Sequence, residues 1–183
     1  MSVPNIRHIP KTTYLTSGTS GVLFAGESEG KQVVLKYERV LRNNNNLVNQ
    51  WVCFLKMNTL FPSGFPKFYD GCFVNNCNLL NQRMFHGATT QVQQYLKDKL
   101  CAISMFERIN ATGLRAQPER LSEMYKSHYA QLFWAIHCLH SMGYTHNDIF
   151  RRNIITQSTT ETHIQCGETL IPSFGNRTVL VDF

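Results

Sequence analysis

Four short segments carry residue types that together could move a phosphoryl group. That reaction asks little covalent chemistry of a protein. It needs a triphosphate held, its charge offset by a metal and a lysine, and an acceptor hydroxyl aimed and relieved of its proton. In chain order the segments are Ser17-Gly18-Thr19-Ser20-Gly21-Val22-Leu23, Val33-Val34-Leu35-Lys36, His146-Asn147-Asp148-Ile149-Phe150-Arg151-Arg152-Asn153 and Val179-Leu180-Val181-Asp182-Phe183. Glycines let a backbone approach phosphates without Cβ obstruction, although a lone Gly-x-x-Gly turn more often just closes a hairpin. Lys36 follows Gly21 by 15 residues, where a two-strand hairpin returns the chain beside the glycine turn. A lysine among apolar residues could also simply snorkel from its strand.

The elements needed to position these groups are legible around them. Tyr14 to Ser17, Gly21 to Ala25 and Gln32 to Tyr37 read as strands separated by turn compositions. The asparagine run 43–46 reads as a loop, and Val48, Trp51, Val52 and Leu55 after it recur at helical spacing. Phe68 to Val74 and Cys101 to Phe106 are further strands, joined by a polar connection from Asn75 to Lys99. The longest periodic segment starts at Pro118. Leu121, Met124, Tyr125, His128, Leu132, Ile136 and Leu139 follow a helical period, and Gly143 supplies the stop. The catalytic-type segment follows that stop directly.

Residues 146–153 resemble the catalytic loop of protein kinases, H-R-D-x-x-x-x-N, in all positions but one. The approach through Gln131-Leu132-Phe133 and Leu139-His140-Ser141-Met142-Gly143-Tyr144-Thr145 is similar to the helix and turn before that loop. Val179 to Phe183 resembles the strand that opens the D-F-G segment. The resemblance covers Lys11 to Phe183. It implies an α+β, protein-kinase-like fold: an N-terminal tail (1–10), a small β-rich N-lobe with one helix and the hinge (11–107), and an incomplete, mainly helical C-lobe (108–183).

The resemblance further implies ATP and Mg2+ as cofactors and a protein hydroxyl, serine or threonine, as acceptor. Lys36 would hold the α- and β-phosphates, Asp148 would orient the hydroxyl and take its proton, and Asn153 and Asp182 would bind the metal. Leu15, Gly18, Gly21, Leu23, Val34, Phe106, Glu107, Ile109 and Ile155 would line the nucleotide site, with Phe106 guarding its back. Arg152 resembles the cation of tyrosine kinases, whereas Phe150 stands where serine/threonine kinases carry a lysine. The loop alone therefore leaves tyrosine open.

Other departures bear on activity. Thr16 stands at the first glycine of G-x-G-x-x-G, and Asn147 at the arginine that commonly pairs with a phosphorylated loop. No acidic residue lies between Glu38 and Asp70, where the family places the glutamate that pairs with its lysine; Asn49 or Gln50 falls nearest by spacing. Residues 157–177 read as a polar surface insertion. The sequence stops at Phe183, which leads us to expect a fragment, or a chain that docks to a partner through an apolar helix face. Two alternatives follow: a catalytically weak kinase-like protein that binds nucleotide, a partner kinase or a complementing chain, and a small-molecule phosphotransferase like the aminoglycoside or choline kinases.

Composition excludes several other classes. The charge of +6 is spread without like-charge blocks, so it gives no argument for nucleic acid. No apolar run nears the roughly 18 residues of a membrane span, and the N-terminus has no secretory h-region. A cytoplasmic or nuclear protein is expected. The six cysteines form no C-x-x-C pair, so most are expected to be reduced, partly buried thiols.

Overall fold

Alternating apolar residues at 22–28 and 31–39 build a hairpin whose turn, Glu29-Gly30, has both residues at positive φ (53° and 74°). That is the turn geometry that matches strand twist, and it pairs Ser28 with Lys31. The computed structural model describes residues 6, 9, 11–18, 21–40, 46–77, 88–96, 100–112 and 118–182. Thr19 and Ser20 of the glycine turn, asparagines 43–45, most of the N-terminal tail and Phe183 lie outside them. The fold is α+β and divides into two compact units, 1–52 with 68–108, and 53–67 with 109–183. Residues 53–67, expected with the first part, group with the second.

The first unit is one antiparallel sheet of β1 (Thr12–Ser17), β2 (Val22–Ser28), β3 (Lys31–Arg39), β4 (Phe68–Val74) and β5 (Cys101–Glu107), in the order β1-β2-β3-β5-β4. Its core lies on one face. Phe24, Val33, Leu35, Tyr37, Ile103 and Met105 are almost fully buried there, with Val92 and Leu96 of α2 (Thr90–Leu96) and the N-terminal Ile6 and Ile9. Phe24 meets Tyr37 edge-on at 5.3 Å. Burial raises the Tyr37 phenol well above its ordinary pKa.

α1 (Asn46–Leu60) starts in this unit and ends in the other. The helix forms where expected, but its buried residues are Leu47, Cys53, Phe54 and Met57, while Val48, Val52 and Leu55 are exposed. Within the first unit, Trp51 lies against Gly71 so closely that a Cβ there would stand 2.6 Å from the indole. The indole Nε1–H donates to Ser104 Oγ at 2.7 Å.

Cys77 and Cys101 form a disulfide, a pair that sequence spacing did not suggest. The antiparallel register sets Val74 opposite Cys101, and the 3-10 turn Asn75–Cys77 brings Cys77 back over that strand. The other four cysteines remain thiols, and burial pushes Cys53 and Cys166 up to about 11.

The second unit is organised on α3 (Leu121–Ser141), entered through a 3-10 turn at Pro118–Arg120. It ends as the sequence indicates. Gly143 has φ 78°, its N–H bonds to His140 O, and the Tyr144 N–H bonds to Leu139 O, which closes a Schellman cap. Beyond it lie β6 (Ile154–Ser158), β7 (His163–Cys166), β8 (Thr169–Pro172) and β9 (Asn176–Leu180), paired as β6–β9 and β7–β8. Residues 157–177, expected as a surface insertion, therefore hold the β7–β8 hairpin, with a buried Ile164, between the paired strands β6 and β9.

They also reset which face of α3 is buried. Ser127, Gln131, Ala135 and Cys138 join Met124, Leu132 and Leu139, whereas Leu121 and Tyr125 of the expected face are exposed. Ser127 Oγ–H donates to Pro172 O, Gln131 Nε2 donates to Ser127 Oγ, and Gln131 Oε1 accepts the Thr178 N–H at 2.8 Å. Beside them His128 Nδ1 and Thr178 Oγ1 are 2.7 Å apart. Among the described residues no helix is long and apolar enough to cross a membrane.

Desolvation lowers the His128 pKa below its ordinary value. The folded chain resists taking up the proton that the unfolded chain accepts below about pH 6.5. This group's contribution to stability is therefore present above that pH and is lost as pH falls through the folded pKa. The melting temperature of wild type should drop more between pH 7 and pH 5 than that of His128→Asn, which keeps an acceptor for Thr178. Parallel melting curves against pH would show that His128 carries none of the slope.

Candidate functional site

In the first unit, strand register brings several expected residues together. Leu23 pairs with Lys36, Lys36 with Ser104, and Val34 with Phe106. Directly opposed residues share a face, as do i and i+2, so Leu23, Val34, Lys36, Ser104 and Phe106 all lie on the face away from the core. A register shift between Tyr14 and Thr16 leaves Leu15 as the extra residue of β1, 40% exposed. The Phe106 ring packs on Phe68 at 5.4 Å. Glu107 pairs with Val33 and so belongs to the opposite face.

The glycine turn is closed by Gly18 N–H to Gly21 O at 2.9 Å. Gly21 has a structural reason of its own. At φ 155°, a Cβ would stand 2.5 Å from Tyr37 O and 3.1 Å from Glu38 Cγ, so only glycine lets β2 begin this close to β3. Gly18 has open space around it.

Lys36 is buried to 8% exposure, and its Nζ lies 3.4 Å from Glu38 Oε1. This carboxylate was missed in favour of a helix position, although the two-residue period of a strand already puts Glu38 on the lysine's face. Farther along that face is an open concavity of about 590 Å³, bordered by Lys11, Glu27, Glu29, Gln32 and Arg108. It does not include Lys36. Gln32 Nε2–H donates to Glu27 Oε2 at 3.0 Å there.

In the second unit the segment 146–153 is a hydrogen-bonded loop. His146 is buried; its Nδ1 accepts the Asp148 N–H at 3.3 Å, which leaves Nε2–H to donate to Val181 O at 3.0 Å. Asn147 takes the left-handed conformation, φ 59°, which asparagine tolerates better than most residues. The Phe150 N–H bonds to Asp148 O, and the Asn153 N–H to Phe150 O within the 3-10 turn Arg151–Asn153.

Asn153 is 4% exposed and is held at both ends. Its Nδ2 donates to Asp148 O and Asp148 Oδ2, each at 2.9 Å, and its backbone O accepts the Val181 N–H. Among the described residues nothing donates to its side-chain oxygen, which stays available to a cation. The Asp148 carboxylate also accepts Arg152 Nη2 at 2.8 and 3.1 Å, while the Arg152 guanidinium lies 4.9 Å over the Phe150 ring. Arg152 is two-thirds exposed, so this ion pair is screened and opens at small cost.

Asp182 is exposed at φ 60°, directly after the residue whose carbonyl anchors His146. Ile155 pairs with Val179 across β6–β9, and Ile109 is half-buried where the second unit resumes. Among the described residues no three His, Cys, Asp or Glu side chains gather to hold a metal ion. No protein-family model and no curated protein sequence matches the chain.

Proposed function

We propose that this chain is an ATP-dependent phosphotransferase of the protein-kinase type, acting on a protein hydroxyl, with a kinase-like arrangement of its α+β fold. The observation that carries the reading is the loop His146–Asn153. It presents a part-exposed carboxylate whose orientation is set by a buried asparagine, with that asparagine's oxygen left open. Such a pair suits a base beside a metal ligand.

The residues present fit ATP and magnesium. Magnesium bound through substrate phosphates takes one or two protein oxygens and fills the rest of its shell with phosphate and water. Asn153 and Asp182 would supply those protein oxygens. ATP supplies the phosphoryl group, and magnesium offsets the charge on it. Lys36 adds a fixed cation to the first unit, on a face where Leu23, Val34 and Phe106 offer apolar contact to a base. Asp148 would aim the acceptor hydroxyl and take its proton, once Arg152 has left its carboxylate. A pair exposed on that scale permits the movement.

The test is magnesium- and ATP-dependent transfer of labelled phosphate by the purified chain to protein acceptors, beside a panel of amines and alcohols. Labelled serine or threonine that disappears in Asp148→Asn supports the reading. Label on a small alcohol or amine instead would place the chain among small-molecule phosphotransferases. No transfer to any acceptor, with firm binding to a second kinase, would leave it a non-catalytic binding protein.

A further inference from the structure

We infer that Glu38 is the carboxylate that positions Lys36, replacing the helix glutamate that the kinase reading would supply; the inference rests on that reading. No acidic side chain occurs from 39 to 69, so α1 has none to offer. At this face of the sheet the helix presents Trp51 instead, its indole N–H bonded to Ser104, the residue directly across from Lys36. The carboxylate comes from β3 itself.

Three observations converge on Glu38. It is two residues from Lys36 in an extended strand, so both side chains rise from the same face. The ammonium and carboxylate are 3.4 Å apart, with only 10% and 13% of the two side chains exposed. Finally, the Glu38 stem packs where Gly21 lacks a Cβ, since a methyl there would stand 3.1 Å from Glu38 Cγ. The glycine turn, the carboxylate and the lysine are thereby one constellation within the first unit.

A lysine ammonium is a point charge on a flexible four-carbon stem, and it has three donors. An opposite charge on its own strand fixes it in place. The consequence differs from that of a helix-borne partner. The pair lies within one strand, so its geometry is set by the sheet.

The experiment compares the full chain with Glu38→Gln and Glu38→Asp in two ways, after confirming by melting that each variant folds. First, without nucleotide, the rate at which an acylating reagent modifies Lys36 is read by peptide mass spectrometry. Glu38→Gln should be modified severalfold faster than wild type, and Glu38→Asp, which retains the charge, should fall between them. Equal rates in wild type and Glu38→Gln would overturn the pairing. Second, binding of magnesium-ATP and of adenosine is measured by calorimetry. Glu38→Gln should weaken ATP roughly tenfold, about 1.4 kcal/mol, and leave adenosine unchanged. Unchanged ATP affinity would overturn the positioning role. A labelling difference in a wild-type chain that binds no ATP would remove that role together with the phosphotransferase reading, while the Lys36–Glu38 pair itself stands.

Discussion

Asp148→Asn should lower phosphate transfer by roughly two to four orders of magnitude, the range that a positioned general base contributes. The substitution separates chemistry from architecture. An asparagine has the same shape and keeps an oxygen for the Asn153 Nδ2–H, and the backbone bonds of Asp148 to His146 and Phe150 do not involve the side chain. What is lost is the negative charge that takes the proton. The lost pairing to Arg152 is largely solvent-screened and worth at most about 1 kcal/mol. The melting temperature should therefore stay close to that of wild type while transfer falls. Activity retained within a few-fold, measured with saturating ATP and magnesium, would remove Asp148 from the chemistry. A large loss of stability beside the lost activity would show that its main role is to hold the loop.

The second large effect is structural. Gln131→Leu should destabilise the folded chain by about 2–3 kcal/mol, the cost of leaving the buried Thr178 N–H without a partner and of losing the bond to Ser127 Oγ. Gln131 is 2% exposed and bridges α3 to the strands packed on it: Oε1 accepts the Thr178 N–H of β9, and Nε2 donates to Ser127 Oγ, which itself reaches Pro172 O of β8. Leucine preserves the volume roughly and removes both bonds, so the loss reports hydrogen bonding and not a cavity. The neighbouring void is only about 10 Å³, at the lower limit for a single water that might repair the loss. Gln131→Glu keeps an acceptor but places a charge in the same buried position, and should be worse. For a chain of this size each kcal/mol moves the melting temperature by roughly 2–4 °C, so calorimetry resolves the difference easily. A shift under about 2 °C would mean that α3 and β9 are held by their apolar contacts alone.

Gln131 also shows where reading the sequence stops. The periodic hydrophobicity of residues 121–139 predicts the helix, and Gly143 predicts its end, because both depend on residues within a few turns of one another. Which face is buried depends instead on the β7–β8 hairpin and β9, which arise from a polar stretch that reads as an insertion. Their backbone groups need partners, and Ser127 and Gln131 satisfy them; the burial of two polar residues follows from that need. In α1 the same limit appears. Val48, Val52 and Leu55 have the right spacing for a buried stripe, and yet Leu47, Phe54 and Met57 are the residues covered.

The catalytic-type loop was legible because its parts are local. His146, Asp148 and Asn153 lie within one turn-rich segment, and their spacing already limits how they can meet. The face shared by Leu23, Val34 and Lys36 was legible in the same way, from strand alternation and a short hairpin. Glu38 was legible in principle by the same two-residue period, which puts it on the face of Lys36. The Cys77–Cys101 bond was not, since 24 residues separate the pair and only the β4–β5 register brings them together.

By itself, then, the amino-acid sequence determined the four segments on which the proposed phosphotransfer rests, their order, and the strands and helices that carry them. Each follows from short-range periodicity, turn chemistry and residue type. The tertiary structure alone decided the environment of each group: that Lys36 is paired along its own strand, that Asp148 is engaged by Arg152 and Asn153, and that residues 157–177 form part of the packed second unit. Those outcomes rest on contacts between distant residues. Many chain paths could satisfy the local pattern, and only the packed chain selects one.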